Sequence, residues 1–464
     1  MTDTVAGLRR EDLDRLRSSF DGEIIIPGDG AYDDARRVWN AVFDRRPAVL
    51  VRPSSVTDVA TAIRFGRDRD LEIAIRSGGH SAAGHSTSDG GLVIDLSRLR
   101  GVTVDPKRRT ARANGGALLG ELDIAAQAYG LVCPVGVIGH TGVAGLTLGG
   151  GIGRLQRHFG LTIDNLRAVE LVTADGRTVR TSESEEPDLF WGLRGAGANF
   201  GIATAFEFGL REFGPLLHRG MAIYPAARVH EVWAMVRDFA ADAPDAVAAI
   251  LTIARAVPAQ DYPASVAGDP IVIVSYNHSG DAAAVERDVA PLRAGPEPVS
   301  GSFASEPYLE VQTSNDLVMD WGHRSYILGV YADDVRSAAL DALVGLATRA
   351  PDGASFSITV QRGAIARVPD EATAFTGRQA RFDLSADSAW VDPAVDETNR
   401  DWVRQAMAIV EPDAVMGGYI NEIAETGPDV IRTVYGEAKV ARLTALKRAW
   451  DPDNVFRLNH NIAP

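Results

Sequence analysis

Residues Arg76-Ser77-Gly78-Gly79-His80-Ser81 combine a glycine turn with a histidine, directly after the apolar run Glu72-Ile73-Ala74-Ile75. Tandem glycines allow φ > 0, so successive backbone N–H groups at 77 to 81 can point into one concavity and cradle a pyrophosphate. Nothing in that argument requires His80. An imidazole placed there gives the turn a second capability, because a turn that holds a cofactor can also bond to it. Gly84-His85 offers a competing imidazole a few residues on. Taken alone, the motif is equally compatible with a plain surface turn.

Two further glycine-rich stretches follow. From Val135 to Gly153 the chain reads VGVIGHTGVAGLTLGGGIG, and from Arg194 to Ala203 it reads RGAGANFGIA. So much glycine costs chain entropy and is tolerable where backbone must approach a large flat ligand; the alternative is a set of tight turns or bulges. Gly149 to Gly153 superficially resembles a dinucleotide fingerprint. However, no βαβ unit with an acidic residue about 20 positions later accompanies it.

The elements that position these stretches can be read from apolar patterning. Ala48-Val49-Leu50-Val51 reads as a strand, Val56 to Arg67 as a helix with Val59, Ile63 and Phe65 inward, and 72 to 75 as a second strand. That βαβ-like unit places its glycine turn at the carboxyl end of a strand, where open α/β sheets bind ligands. Gly91 to Leu96 reads as a third strand. Ala174-Asp175-Gly176 joins the strands 169 to 173 and 178 to 181 as a hairpin. Past Gly214 the character changes: Val229, Val232, Trp233, Val236 and Phe239 recur at helical spacing, 281 to 294 and 334 to 347 read as helices, and strands are expected near 249 to 254, 271 to 276, 326 to 331 and 356 to 361.

Bulk properties set outer limits. A chain of 464 residues suggests two or three domains. A formal net charge of -15 argues against nucleic acid or an anionic membrane as main partner. No run approaches the roughly 18 apolar residues of a membrane span, and no apolar signal core opens the sequence, so a cytoplasmic protein is expected. The single cysteine, Cys133, excludes an intrachain disulfide and multi-thiolate metal sites, and the nine histidines show no zinc-ligand spacing, so no metal is expected.

Taken together these elements resemble the FAD-linked oxidases of the vanillyl-alcohol-oxidase superfamily, in the berberine-bridge-like branch. The resemblance is carried by Arg52-Pro53 with Ser54 to Val59, Arg76 to Ser81 with Gly84-His85, Asn114 to Ala117, Thr141 to Gly153, Gly160 to Asn165, Asp188 to Trp191, Gly195 to Ile202, Tyr435-Gly436, Lys447, and Asp451 to Ile462. The bacterial relatives it resembles include 6-hydroxynicotine-oxidase-like and enterocin-pathway-flavoenzyme-like members, and it is similar to the latter at Gly139 before His140-Thr141-Gly142, at Ala364 to Pro369, and at Gly417-Gly418-Tyr419 with Asn421.

The resemblance implies an α+β, two-domain FAD-binding fold of the PCMH type with an inserted antiparallel sheet plus helices. The expected divisions are 1–213 for FAD, 214–414 for substrate and 415–464 as the return to the FAD domain. It implies FAD held by Arg76, Ser77, Gly78, Gly79, His80, Ser81, Gly84, His85, Gly142, Gly145, Gly149, Gly150, Gly153, Leu155, Asp164, Asn165, Gly197, Gly201, Ile202, Asn459 and Asn461. In that family the histidine matching His80 bonds to the flavin 8α position, which raises the reduction potential. A second link in many relatives comes from a cysteine eleven residues before the glycine that here is Gly149. That register lands on Ile138, and Cys133 lies five residues too early, so attachment through His80 alone is expected.

The implied reaction is hydride transfer from a C–H next to O or N to the flavin, then reoxidation by O2 to hydrogen peroxide, with a base removing the substrate O–H or N–H proton. Tyr419, Asn421, His140, Arg324 and Gln361 are the candidates for assisting it, and Thr141 matches the position that gates oxygen. The substrate-domain carboxylate of polyketide-type relatives has no counterpart in Ser355 to Gln361. The expected partners are a small hydroxylated or aminated molecule and O2, with the chain a monomer or homodimer. A flavin-dependent oxygenating enzyme tailoring a natural product, and a non-catalytic flavin-binding protein, are the alternatives.

Overall fold

The computed structural model describes residues 4–5, 8–257 and 262–464. Near the N-terminus, strands Val49–Arg52 and Ile73–Arg76 lie parallel on either side of Leu92–Asp95, with Glu23–Ile25 antiparallel at the edge. The helix Val56–Arg67 supplies the crossover. It begins where the Ser55 hydroxyl accepts the Asp58 N–H, and it buries Val59, Ala62 and Ile63 against the sheet. The turn carrying His80 leaves the carboxyl end of Ile73–Arg76. A five-stranded antiparallel sheet follows, in the order Thr178–Ser182, Leu166–Val172, Ile202–Gly209, Thr110–Asn114, Val102–Asp105. The 174–176 hairpin is present, with Val172 opposite Thr178.

The later part of the chain builds an eight-stranded antiparallel sheet from Leu216–Pro225 to Ala414–Gly417. Helices Val229–Ala241, Ser337–Ala347 and Asp396–Val410 cover one of its faces, packing Val232, Val236, Leu340, Leu343, Trp402 and Val403 against alternate strand residues such as Leu251, Phe356 and Leu384. The opposite strand residues therefore look away from this core. In Phe382–Trp390, Phe382, Leu384 and Ala386 enter the core, which leaves Asp383, Ser385 and Asp387 on the other face. The helix expected over 281 to 294 is shorter, ending as Ala282–Val289 with a 3-10 turn Ala290–Arg293. Pro291 lacks the N–H that would continue the ladder. Among the described residues no helix is long and apolar enough to cross a membrane.

The C-terminal segment returns to the first part. Lys447 is fully buried and donates to Asp451 Oδ2, Asn199 O and Phe456 O, each at 2.8 Å. Asp451 in turn accepts the Val455 and Phe456 N–H groups. This buried ion pair, with all its hydrogen bonds made, fixes residues 456–461 beside the glycine element that ends at Gly201.

Candidate active site

The three glycine elements and the C-terminal segment enclose a cavity of about 400 Å³. Turns 77–81 and 141–145 meet backbone to backbone: a Cβ on Gly78 would fall 2.2 Å from Gly142 N, and one on Gly142 would fall 2.3 Å from Gly78 N. Only glycine permits that approach. The third element is tied to the helix Val143–Leu148 by Gly195 and Gly197 N–H groups donating to Leu148 O.

The walls suit FAD. Among the described residues, the N–H groups of Gly78, Gly79, His80 and Ser81 donate to no protein acceptor. Asn459 Oδ1 and His460 Nδ1 are buried at the cavity wall without a partner. Such groups are costly unless a ligand satisfies them. His85 and His460 meet edge to face at 4.9 Å, and burial holds both neutral, at about 3 and about 4 respectively.

His80 occupies one wall. Its ring stacks on Trp39 at 4.8 Å, and its Nε2 lies 2.7 Å from His140 Nδ1. Burial, reinforced by His140, lowers its pKa to about 3, so the imidazole is neutral. His140 Nε2 faces the Asp316 carbonyl at 3.4 Å. A carbonyl can only accept, so in an uncharged pair His140 Nε2 carries its proton and His140 Nδ1 accepts from His80 Nε2–H. That order leaves the lone pair of His80 Nδ1 free. Asp316 itself is held by the Gly139 N–H, 2.6 Å from Oδ1.

At the other end, Tyr419 and Asn421 line the cavity. The Tyr419 oxygen accepts from Gly151 N at 3.1 Å and from Asn421 Nδ2 at 2.7 Å, while Asn421 Nδ2 also donates to Leu146 O at 3.1 Å. Gly149 makes room for this amide, since a Cβ there would sit 2.2 Å from Asn421 Oδ1. Burial drives the Tyr419 phenol further above its ordinary pKa, which suits it as an O–H donor and not as a base.

Relatives and family models point the same way. A family model described as FAD binding domain matches residues 47–182, and one described as berberine and berberine like matches 418–463. The chain is 30% identical to (R)-6-hydroxynicotine oxidase of Paenarthrobacter nicotinovorans, over 96% of this chain and 97% of that protein. The chain belongs to the berberine-bridge-like family of FAD-linked oxidoreductases. It is also 29% identical to FAD-linked oxidoreductase pgmH of Aspergillus terreus, over 99% and 97% of the two chains. The crystal structure of 6-hydroxy-D-nicotine oxidase from Arthrobacter nicotinovorans superposes with a TM-score of 0.85 at 29% identity, covering 96% of this chain and 98% of that one.

Within this berberine-bridge-like site, Ser77, Gly78, Gly79, His80, Ser81, His85, Thr141, Gly142, Gly145, Gly197, Gly201, Ile202, Asn459, Tyr419 and Asn421 all line the cavity. Ile138 lines it and Cys133 does not. Burial pushes the Cys133 thiol well up, which leaves it an inert apolar side chain.

Other expected residues stand behind the wall. Arg76 is buried and donates to the carbonyls of Ala35 and Ser86, bracing the turn from below. Gly84 packs against the Phe43 ring, and Gly150 and Gly153 back onto Phe375 and Val135. Leu155 belongs to an apolar cluster with Val132, Leu217 and Tyr308. Asp164 forms a bidentate pair with the fully buried Arg378, at 2.7 and 3.1 Å, and Asn165 bridges Phe159 O, Leu161 O and Arg211. The Asn461 oxygen is buried without a partner away from the lining. Arg324 is spent on a bidentate pair with Asp396 and on Ala41 O, outside the cavity. Gln361 covers Asp383, 3.4 Å from its Oδ2.

Sequence reasoning missed the acids. Asp387 and Glu422 both line the cavity, and Asp383 lies on the same strand face as Asp387. Burial raises Asp387 to about 6 and Asp383 to about 7, and burial followed by repulsion from Asp383 and Asp387 raises Glu422 to about 8. No Arg or Lys lines the cavity among the described residues. The available signal was the alternation in Phe382–Trp390, in which the two acids stand four positions apart, opposite an apolar face.

Proposed function

We propose that this protein is an oxidase that binds FAD covalently through His80 alone and oxidises a small hydroxylated or aminated molecule, with O2 as electron acceptor. The observation that carries the reading is the contact of His80 Nε2 with His140 Nδ1 at 2.7 Å, with the Asp316 carbonyl 3.4 Å from His140 Nε2, an arrangement in which one pair of tautomers leaves His80 Nδ1 free beside a glycine-lined cavity. Ile138 at the position where a second, cysteinyl tether would stand supports a single bond. When bound, FAD accepts the hydride from the substrate C–H and passes the electrons to O2, giving hydrogen peroxide.

The chain's own residues supply attachment, orientation and exclusion of water. If His80 Nδ1 joined the flavin 8α carbon, with the 8α C–H proton lost and the flavin taking up the two electrons, His140 Nδ1 would be placed to accept the His80 Nε2 proton. Tyr419 lines the cavity, and Asn421 and the Gly151 N–H fix its oxygen, leaving its O–H as a donor for substrate. Trp39, Ile138, Met319 and Ile327 give apolar walls. Thr141, small and at the wall, leaves room for O2. The substrate named for the similar (R)-6-hydroxynicotine oxidase, a small hydroxylated nitrogenous ring compound, fits a cavity lined by acids and, among the described residues, by no Arg or Lys.

The test is direct. Denatured wild-type protein retains flavin fluorescence on the polypeptide, His80→Ala releases it, and a peroxidase-coupled assay detects peroxide with compounds that bleach the flavin anaerobically. Flavin freed from the denatured wild type, or electrons appearing in oxygenated product without peroxide, refutes the reading.

A further inference from the structure

The cavity contains a carboxyl cluster that neither the glycine elements nor the Tyr419–Asn421 pair accounts for. Glu422 ends the 3-10 turn Ile420–Glu422, immediately after Asn421, and lines the cavity with Asp387. Its carboxyl has no hydrogen-bond donor from the described protein. The charges of Asp383 and Asp387, from Phe382–Trp390, act on it, and its own charge acts on the phenols of Tyr331, from Arg324–Ala332, and Tyr419. The nearby cation, Arg378, is committed to Asp164 through two nitrogens. Asp383 Oδ1 and the Tyr331 hydroxyl are both buried without a partner. With no Arg or Lys lining the cavity among the described residues, repulsion from Asp383 and Asp387 disfavours the ionised form of Glu422.

We propose that Glu422 is the group that takes the substrate's O–H or N–H proton, and that Asp383 is a positioning residue that keeps the Glu422 carboxyl basic. This rests on the oxidase reading above. In the step, the X–H bond breaks and its proton joins a Glu422 oxygen. The freed electron pair becomes the second bond of C=X, and the C–H pair leaves as hydride to oxidised FAD. Substrate loses two electrons and FAD gains them. Asp387, held by the Ser355 hydroxyl at 2.9 Å, borders the same space and disfavours anionic substrates.

The test uses the holoprotein and rapid-mixing reduction under argon, with whichever alcohol or amine from a panel bleaches the wild type. Glu422→Gln slows reduction by about 10²- to 10⁴-fold at unchanged flavin content, and Glu422→Asp recovers part of the rate. Asp383→Asn removes a like charge, so the midpoint of the rate's rise with pH moves to lower pH. Wild-type reduction rates in Glu422→Gln, or an unmoved midpoint in Asp383→Asn, overturn the assignment. A substrate-free arm separates this from failure of the oxidase reading. The visible spectrum of resting holoprotein, titrated between roughly pH 5 and 9, shows a transition that Glu422→Gln abolishes. A transition that survives Glu422→Gln, or none in the wild type, refutes the acid pair even when no compound in the panel reacts.

Discussion

Replacing His140 by alanine tests the proton order at the attachment point. The substitution deletes the acceptor 2.7 Å from His80 Nε2 and leaves that N–H buried against Trp39 with nothing to receive it. An unpartnered buried donor costs about 1–3 kcal/mol. The tautomer with a free Nδ1 is then disfavoured by that amount, and attachment slows by roughly 5- to 150-fold, since 1.4 kcal/mol is a factor of ten. Apoprotein mixed with FAD, sampled over time, acid-precipitated and read by in-gel fluorescence, gives the rate. A His80→Ala background isolates non-covalent FAD affinity, which the second substitution leaves within about twofold. Attachment by His140→Ala at the wild-type rate would show that His140 merely packs beside the ring.

Four further outcomes are expected. Cys133→Ser leaves covalent flavin content unchanged in denaturing gels, because the thiol does not reach the cavity. Lys447→Met strands the buried Asp451 carboxylate, costs about 3–5 kcal/mol, and shows as a lower thermal midpoint with weakened flavin retention. Asp164→Asn destabilises by a similar amount through Arg378, and pairing it with Arg378→Met recovers stability, whereas a direct contact to FAD would leave the double variant unable to hold flavin. Asp387 binds its proton more tightly when folded, about 6 against 3.8, so the wild type loses stability as pH rises across that window and Asp387→Asn flattens the loss in urea titrations.

The glycine elements were legible in the sequence because close backbone approach has a compositional signature: Gly78 and Gly142 mark the place where two turns touch. The βαβ unit was legible through its strand and helix periods. Side-chain pairing across the fold was not. Asp164 and Arg378 are 214 positions apart, and nothing local announces that one neutralises the other. Asp383 and Asp387 escaped for a related reason. They interrupt an apolar run, and only the sheet's packing on its helices decides that they face a cavity instead of bulk water. Arg324 stood among the candidates for assisting proton removal because its partner, Asp396, opens a helix 72 positions later and nothing local announces the pair.

Asp316 and the Met319 carbonyl that accepts the Trp39 indole N–H belong to a loop far downstream of His80, between strands of the eight-stranded sheet. On the ribosome the glycine turn is complete long before that loop exists. Under the proposed tethering, His80 becomes competent only after the second half of the chain has been made and has docked. The flavin bond is then a maturation mark: chains that stall, truncate or misassemble remain colourless after denaturation, and the yellow polypeptide counts only molecules that finished folding.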